Sequence, residues 1–409
     1  MGIKAGSANR SHALRARVPM QEELAEQLGL LRDKSLLRVL KSPSSIPAQE
    51  AGTGGAPINF GSNDYLGLAG ETFLIEAGKE ALRRYGAGSG ASRLVFGNHA
   101  PHKDLEDSIA AWKGTEGALA FSSGYATALG TIPSLVGAQD VVILDKLCHA
   151  CIIDGARLSG ALIRVYPHNN LNRLESHLQW ARKHHPRARV LVATESVFSM
   201  DGDIAPLAQI VALKERYGAW LLVDEAHAAG VFGNSGGGLA EMLGLGGEIE
   251  IQMGTLSKGL GCSGGYICGS NALIQWLVNC ARSLIFSTAP PPANAATATA
   301  AVRWMPSDAA KERRSALWSN VELYRDKLPE FCSGQSPIAP VIVGDNTRAL
   351  ELSEALLSNG FLAPAIRYPT VAKDQARIRV TLSASHSVHS IELLTKFLRG
   401  ELSERERHE

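Results

Sequence analysis

The chain has 409 residues, 45% of them hydrophobic and 20% charged, which is enough for a large core and more than one domain. A net charge of +1 gives no global field for nucleic acid or an anionic membrane. No apolar run reaches the roughly 18 residues of a membrane span, and no secretory hydrophobic segment opens the chain, so a cytoplasmic location is expected.

The first 21 residues carry Lys4, Arg10, Arg15 and Arg17 and no acid, and read as a basic arm. Residues 21–42 read as an amphipathic helix, with Leu24, Leu28, Leu31, Leu36, Leu37 and Leu40 near helical period. A Pro/Gly/Ala-rich linker follows over 42–57. From there short apolar runs at 141–145, 161–166, 189–197 and 219–227 alternate with helical stretches such as 171–185 and 205–218. Strands apolar on both faces between helices imply a mostly parallel sheet covered by helices. The tail differs. Strands are expected at 337–344 and 376–383, and helices at 349–360 and 390–402. The expected organisation is an arm and helix over 1–55, a large α/β domain over 56–300 and a smaller α+β domain over 301–409.

Several familiar patterns fail on their surroundings. Six cysteines at 148, 151, 262, 268, 280 and 332 form no disulfide framework. Cys148-His-Ala-Cys151 lacks the second ligand pair that zinc needs, so no metal site is expected. Residues 259–264 match G-x-G-x-x-G, but GYICG follows where a dinucleotide site needs a helix, and 277–300 hold no acid. Residues 261–265 match the G-x-S-x-G nucleophile elbow around Ser263, again without the turn from strand into helix. Asp224-Glu-Ala-His227 looks like a helicase strand end, yet the chain has no phosphate loop upstream.

Real constraints remain. Asp224 and His227 end a buried strand, where open α/β sheets place ligands. Lys258 lies in a run of small residues with no other charge within six positions. Desolvation there lowers the cost of a neutral, nucleophilic amine. A Schiff-base lysine with an aspartate on a pyridinium nitrogen is what pyridoxal phosphate requires. The stretch 121–125 adds hydroxyls and backbone N–H groups where a helix is about to start, which suits a phosphate. A single Asp at a strand end is often a cap, a single Lys is usually a solvated surface group, and His149 could be a satisfied core histidine. Their joint order on an α/β scaffold favours the functional reading.

These residues resemble the α-oxoamine synthase family of fold-type I pyridoxal 5'-phosphate enzymes, from about residue 35 to 400. The resemblance is carried by NFGSNDYLGL (59–68), GAGSGASRLVFGNHAPHKDLE (86–106), DKLCHACIIDG (145–155), ESVFSMDGDIAPL (195–207), VDEAHAAGVFG (223–233) and GTLSKGLGCSGGYICG (254–269). It implies an acyltransferase working as a homodimer with shared active sites. By that similarity Lys258 carries the cofactor and acts as base, Asp224 pairs with the pyridine nitrogen, and His149 stacks on the ring. His227 and Ser199 lie near the phenolic oxygen. Gly124, Tyr125 and Thr255 lie at the cofactor site, and Thr288 of a neighbouring subunit reaches the phosphate. Arg38, Asn63, Arg367 and Thr370 are implied to bind substrate. Residues 363–386 are most similar to members that condense L-alanine with a pimeloyl thioester, on coenzyme A or an acyl carrier protein. Tyr368, Gly259 and the pair Ala228-Ala229 depart from the usual pattern. Sister members with other amino acids, and a non-catalytic partner subunit, stay open as alternatives. A serine hydrolase at Ser263 is a distant third.

Overall fold

The computed structural model describes residues 19–40, 57–329 and 334–406, with side chains through 402. The basic residues of the arm, nearly all of the linker and Cys332 lie outside the described residues. The first helix, Met20–Asp33, is shorter than the 21–42 the leucine spacing predicts. Ser35 takes a positive φ of 53°. The N–H groups of Leu36 and Leu37 both return to the Leu31 carbonyl, at 2.8 and 3.1 Å, and close the helix. Its leucines stay uncovered, with Leu24, Leu28 and Leu31 at 52%, 48% and 41% exposure.

Twelve strands are named here in chain order. After β1 (Ile58–Asn59) come β2 (Gly117–Phe121), β3 (Val141–Asp145), β4 (Leu162–Tyr166), β5 (Val190–Glu195), β6 (Trp220–Asp224), β7 (Ile251–Thr255) and β8 (Gly265–Gly269). The last four are β9 (Ile338–Gly344), β10 (Phe361–Leu362), β11 (Ala365–Ile366) and β12 (Ala376–Thr381). A seven-stranded sheet has the order β2-β8-β7-β6-β5-β3-β4. All its pairings are parallel except those of β8, which runs antiparallel to both β2 and β7. Alternate residues face two separate cores. Val141, Ile143, Val190 and Val192 go to one, and Val142, Leu144, Leu191 and Ala193 to the other. The reading of strands apolar on both faces fails at β4. It is an edge strand, and Leu162 and Val165 remain exposed.

The tail forms a separate antiparallel sheet, β11-β12-β9, with the helix Asn346–Ser358 against it. β1 pairs in parallel with β10, so the start of the described core is tied to the tail. Among the described residues no helix is long and apolar enough to cross a membrane.

Candidate active site

The C-terminal ends of β5, β6 and β7 meet the N-termini of two helices, Gly124–Leu135 and Ala150–Ser159, around a cavity of about 170 Å³. Lys258, Asp224, His149 and His227 all line it. Gly124, Tyr125 and Thr255 line it as well. Helices in such units run antiparallel to the strands, so their positive ends face the strands' carboxyl ends.

Lys258 sits in the turn between β7 and β8. The turn is closed by Gly261 N–H donating to the Lys258 carbonyl and Cys262 N–H donating to that of Leu256, both at 2.8 Å. Small residues are required here by close backbone approach. A Cβ on Gly259 would fall 2.4 Å from the Ala229 carbonyl oxygen, so two of the departures from the family pattern pack on each other. Gly261 has φ +64°, and a Cβ there would meet Ala69 N at 2.6 Å. Between two strands, the 259–264 glycines are neither a dinucleotide turn nor a nucleophile elbow.

Asp224 is 4% exposed, and its Oδ1 accepts from Ala226 N–H at 2.9 Å. Glu195 lies beside it in register at the end of β5, and its Oε1 accepts from His149 N–H at 2.5 Å. Burial raises the pKa of Asp224, while Lys258 and the Ala226 N–H pull it down. Burial and then the Asp224 charge push Glu195 well up, so the pair favours a single charge, on Asp224 facing Lys258. Burial lowers Lys258 despite Asp224. It also lowers His149, and with Lys258 and Arg379 it takes His227 well below its ordinary value, so both rings are neutral near pH 7.

The opposite wall is shaped for an anion. Ser123 caps the helix Gly124–Leu135 by accepting from Ala126 N–H at 3.1 Å. A Cβ on Gly265 would lie 2.6 Å from Gly124 N, so β8 and the helix start can approach only without a side chain there. The Thr255 and Ser257 hydroxyls, 2.8 Å apart, stand at the same rim. An amine, a carboxylate, two imidazoles and a helix N-terminus with hydroxyls form a donor set that fits pyridoxal phosphate.

The remaining sequence candidates do not line this cavity. Ser199 is half-buried, and its carbonyl accepts from Arg379 Nε at 2.7 Å. Thr288 is exposed beside Ser92. The buried Oδ1 of Asn63 has no protein partner among the described residues. Arg38, Arg367 and Thr370 form a second cluster. Arg38 Nη2 donates to Thr370 Oγ1 at 3.0 Å, and Arg367 Nη1 donates to the Ser35 carbonyl. Burial and the nearby Arg38 charge lower the Arg367 pKa.

Three participants escaped the sequence reading. Glu195 carried the same signal as Asp224, an acid ending a buried strand. Tyr65 had none. It lies in a loop after β1, and its hydroxyl meets His227 Nδ1 at 2.5 Å. Arg379, on β12, acts on both Tyr65 and His227 across the junction with the tail sheet. Cys151 Sγ lies 3.0 Å from His149 Nδ1, and burial pushes this thiol and that of Cys148 up. No cluster suited to a metal occurs among the described residues.

Residues 56–398 match the family Aminotransferase class I and II. The 8-amino-7-oxononanoate synthase of Geobacter sulfurreducens is 44% identical over 378 residues, covering 91% of this chain and 96% of that protein. The protein of the same name from Methylorubrum populi is 44% identical over 375 residues, covering 91% and 93%. Among solved structures, serine palmitoyltransferase from S. paucimobilis, with bound PLP and myriocin, superposes with a TM-score of 0.84 at 31% identity over 93% of this chain and 97% of that one. The 8-amino-7-oxononanoate synthase of Francisella tularensis gives a TM-score of 0.70 at 26% identity, covering 85% and 99%. The cavity at the strand ends, the sheet order and these likenesses agree: the chain belongs to the aminotransferase class I and II family, in its α-oxoamine synthase branch.

Proposed function

We propose that the chain condenses L-alanine with a pimeloyl thioester to give 8-amino-7-oxononanoate, carbon dioxide and free thiol, with pyridoxal phosphate held in the cavity. The observation that carries this is Lys258 and Asp224 facing each other at the strand ends, in a chain 44% identical to proteins of that name. When bound, the cofactor supplies an electron sink for the carbanion that forms at the amino acid's Cα.

The chain's residues do the rest. Lys258 holds the cofactor and takes the Cα proton, since burial keeps its amine available as a base. Asp224 keeps a proton on the pyridine nitrogen. His149 would lie against the ring and His227 would serve the phenolic oxygen, with Ser199, outside the cavity lining beside Arg379, assigned there by resemblance alone. Gly124, Tyr125 and Thr255 hold the phosphate. The Arg38–Thr370–Arg367 cluster receives carboxylates, because two guanidiniums brought together gain from an anion between them, and Asn63 is assigned to substrate by resemblance alone.

The same reading makes the active molecule a homodimer, with Thr288 serving the neighbouring subunit's phosphate. Support comes from Leu94, Val95 and Phe96, 52%, 76% and 84% exposed on the short helix Arg93–Gly97, and from Phe286, 71% exposed at the end of the adjoining helix Arg282–Ile285. Such a patch is costly on an isolated subunit. Light scattering should give twice the chain mass. We also assign the arm and first helix to 1–55, the cofactor domain to 56–300 and the smaller domain to 301–409.

A sister reading, the same reaction with another amino acid, is favoured by the higher TM-score to serine palmitoyltransferase, and Tyr368 adds to it. A matrix of purified protein, amino acids and acyl thioesters on coenzyme A or carrier protein decides, scored by thiol release and ketone mass. Thiol release only with serine or glycine overturns the alanine reading.

A further inference from the structure

The two histidines of the cavity are held in different ways. His149 Nδ1 accepts the Cys151 N–H at 3.3 Å. An amide N–H only donates, so the ring proton of neutral His149 sits on Nε2. That lock is main chain, with the Cys151 thiol also 3.0 Å from the same nitrogen. His227 Nδ1 instead faces the Tyr65 hydroxyl at 2.5 Å, and Tyr65 is 0% exposed. The Arg379 guanidinium lies close enough for its charge to act on the same phenol, and it offers donors but no acceptor. The buried phenol proton therefore needs an acceptor, and His227 Nδ1 is in reach. Arg379 is fixed in turn, with Nε on the Ser199 carbonyl at 2.7 Å and Nη1 on Thr381 Oγ1 at 2.9 Å. Among the described residues neither histidine's Nε2 has a protein partner.

We propose that Tyr65 is a positioning residue, whose hydroxyl donates to Nδ1 of His227 and so fixes its ring as the Nε2–H tautomer, a donor to an electron-rich oxygen bound in the cavity. The line of influence runs from β12 through the Arg379 charge to Tyr65 and His227. It ties the tail sheet to a proton position in the catalytic cavity. With the other tautomer, Nε2 would show the same oxygen a lone pair and repel it. The benefit to catalysis rests on reading the cavity as a cofactor site, whereas the tautomer does not.

The test is nitrogen-15 NMR of histidine-labelled, cofactor-free protein, repeated with cofactor and followed by kinetics. Wild-type His227 should show an unprotonated Nδ1 and a protonated Nε2. Tyr65→Phe should move the His227 proton at least partly to Nδ1 and leave His149 unchanged as an internal control. In loaded enzyme the same variant should shift the cofactor absorption band and lower kcat about tenfold, with the KM for amino acid little changed. A wild-type His227 protonated on Nδ1, or an unmoved tautomer in Tyr65→Phe, overturns the proposal. Should Tyr65→Phe not fold, the wild-type spectrum decides alone. Expected tautomers without thiol release in any substrate mixture would sink the proposed function and leave this inference standing.

Discussion

The seven-stranded sheet has a cavity at each end, and the larger one is not where the chemistry is. At the amino ends of β6 and β7, Trp220, Trp276 and Leu273 line a space of about 690 Å³, against about 170 Å³ around Lys258. Every charged group on the larger wall is already answered. Arg189 Nη1 donates to the Leu135 carbonyl at 2.9 Å, Glu116 Oε2 accepts from Asn271 N–H at 2.9 Å, and Glu250 Oε1 accepts from Lys214 at 2.7 Å. In the smaller cavity the pKa values of a lysine, two carboxyls and two imidazoles are all pushed from their ordinary positions by burial and by one another. Reactivity follows groups held out of their preferred state, and volume alone marks only imperfect packing.

The sharpest break of that contrast is Lys258→Ala. Thiol release should fall at least about a thousandfold, and borohydride, which should fix pyridoxal on the Lys258 peptide of wild type, should label nothing there. A variant with a tenth of normal turnover would move the chemistry elsewhere. Next comes Asp224→Asn, with cofactor retained and kcat down about a hundredfold, or about 2.7 kcal/mol. Near-normal kcat makes Asp224 a strand-end cap and nothing more.

Arg367→Lys keeps the charge and loses the two-pronged grip on a carboxylate, so deuterium exchange at the Cα of L-alanine should slow about tenfold without acyl donor. Unchanged exchange removes Arg367 from the substrate. A stability effect is expected at His168, near the catalytic end. Its Nδ1 bonds Asp145 Oδ1 at 2.9 Å and its Nε2 bonds Asp203 Oδ2 at 2.7 Å. Burial works against its charge, yet the two aspartates together outweigh burial and raise its pKa to about 10. A raised pKa gives stability that is complete below the unfolded value of about 6.5 and is lost as pH rises through 10. His168→Gln should therefore cost about 2 kcal/mol at pH 6 and progressively less toward pH 10, read from urea midpoints. A pH-independent difference refutes the ion-pair account. The mildest change is Trp276→Phe at the opposite cavity. Losing the Nε1–H bond to the Ser134 carbonyl, 2.7 Å, should cost about 0.5–1 kcal/mol of stability and leave kcat alone. A fall in kcat there would erase the contrast between the two ends.

Legibility in the sequence followed the range of the forces involved. The apolar runs that became β3, β5 and β6, and the Asp224–Lys258 pairing, were readable because period and chain order carry them. The end of the first helix was not. Leu36, Leu37 and Leu40 continue the spacing, but the chain turns at Ser35 with positive φ, and nothing in the pattern announces it. Edge position hid the exposure of β4, since strand order is a property of the whole sheet. Tyr65 and Arg379 were silent for the same reason. They meet His227 only when β12 and the loop after β1 are already docked.

The antiparallel strand β8 carries a consequence for how the molecule is made. It lies between β2 and β7, pairing Gly117 with Gly269 and Thr255 with Gly265, so the turn that bears Lys258 is pinned only when two distant stretches of chain meet. Contacts of such long sequence separation form late and slowly. A nascent chain stopped just before β8 has Asp224, His149 and Lys258 but no fixed lysine, and no cavity to fill. The cofactor then binds only the closed sheet, and by mass action it draws the folding equilibrium toward closure, by about 2.7 kcal/mol at a hundred times its Kd. Cell supply of the cofactor becomes in this way a term in the yield of folded protein, set during synthesis and before any turnover.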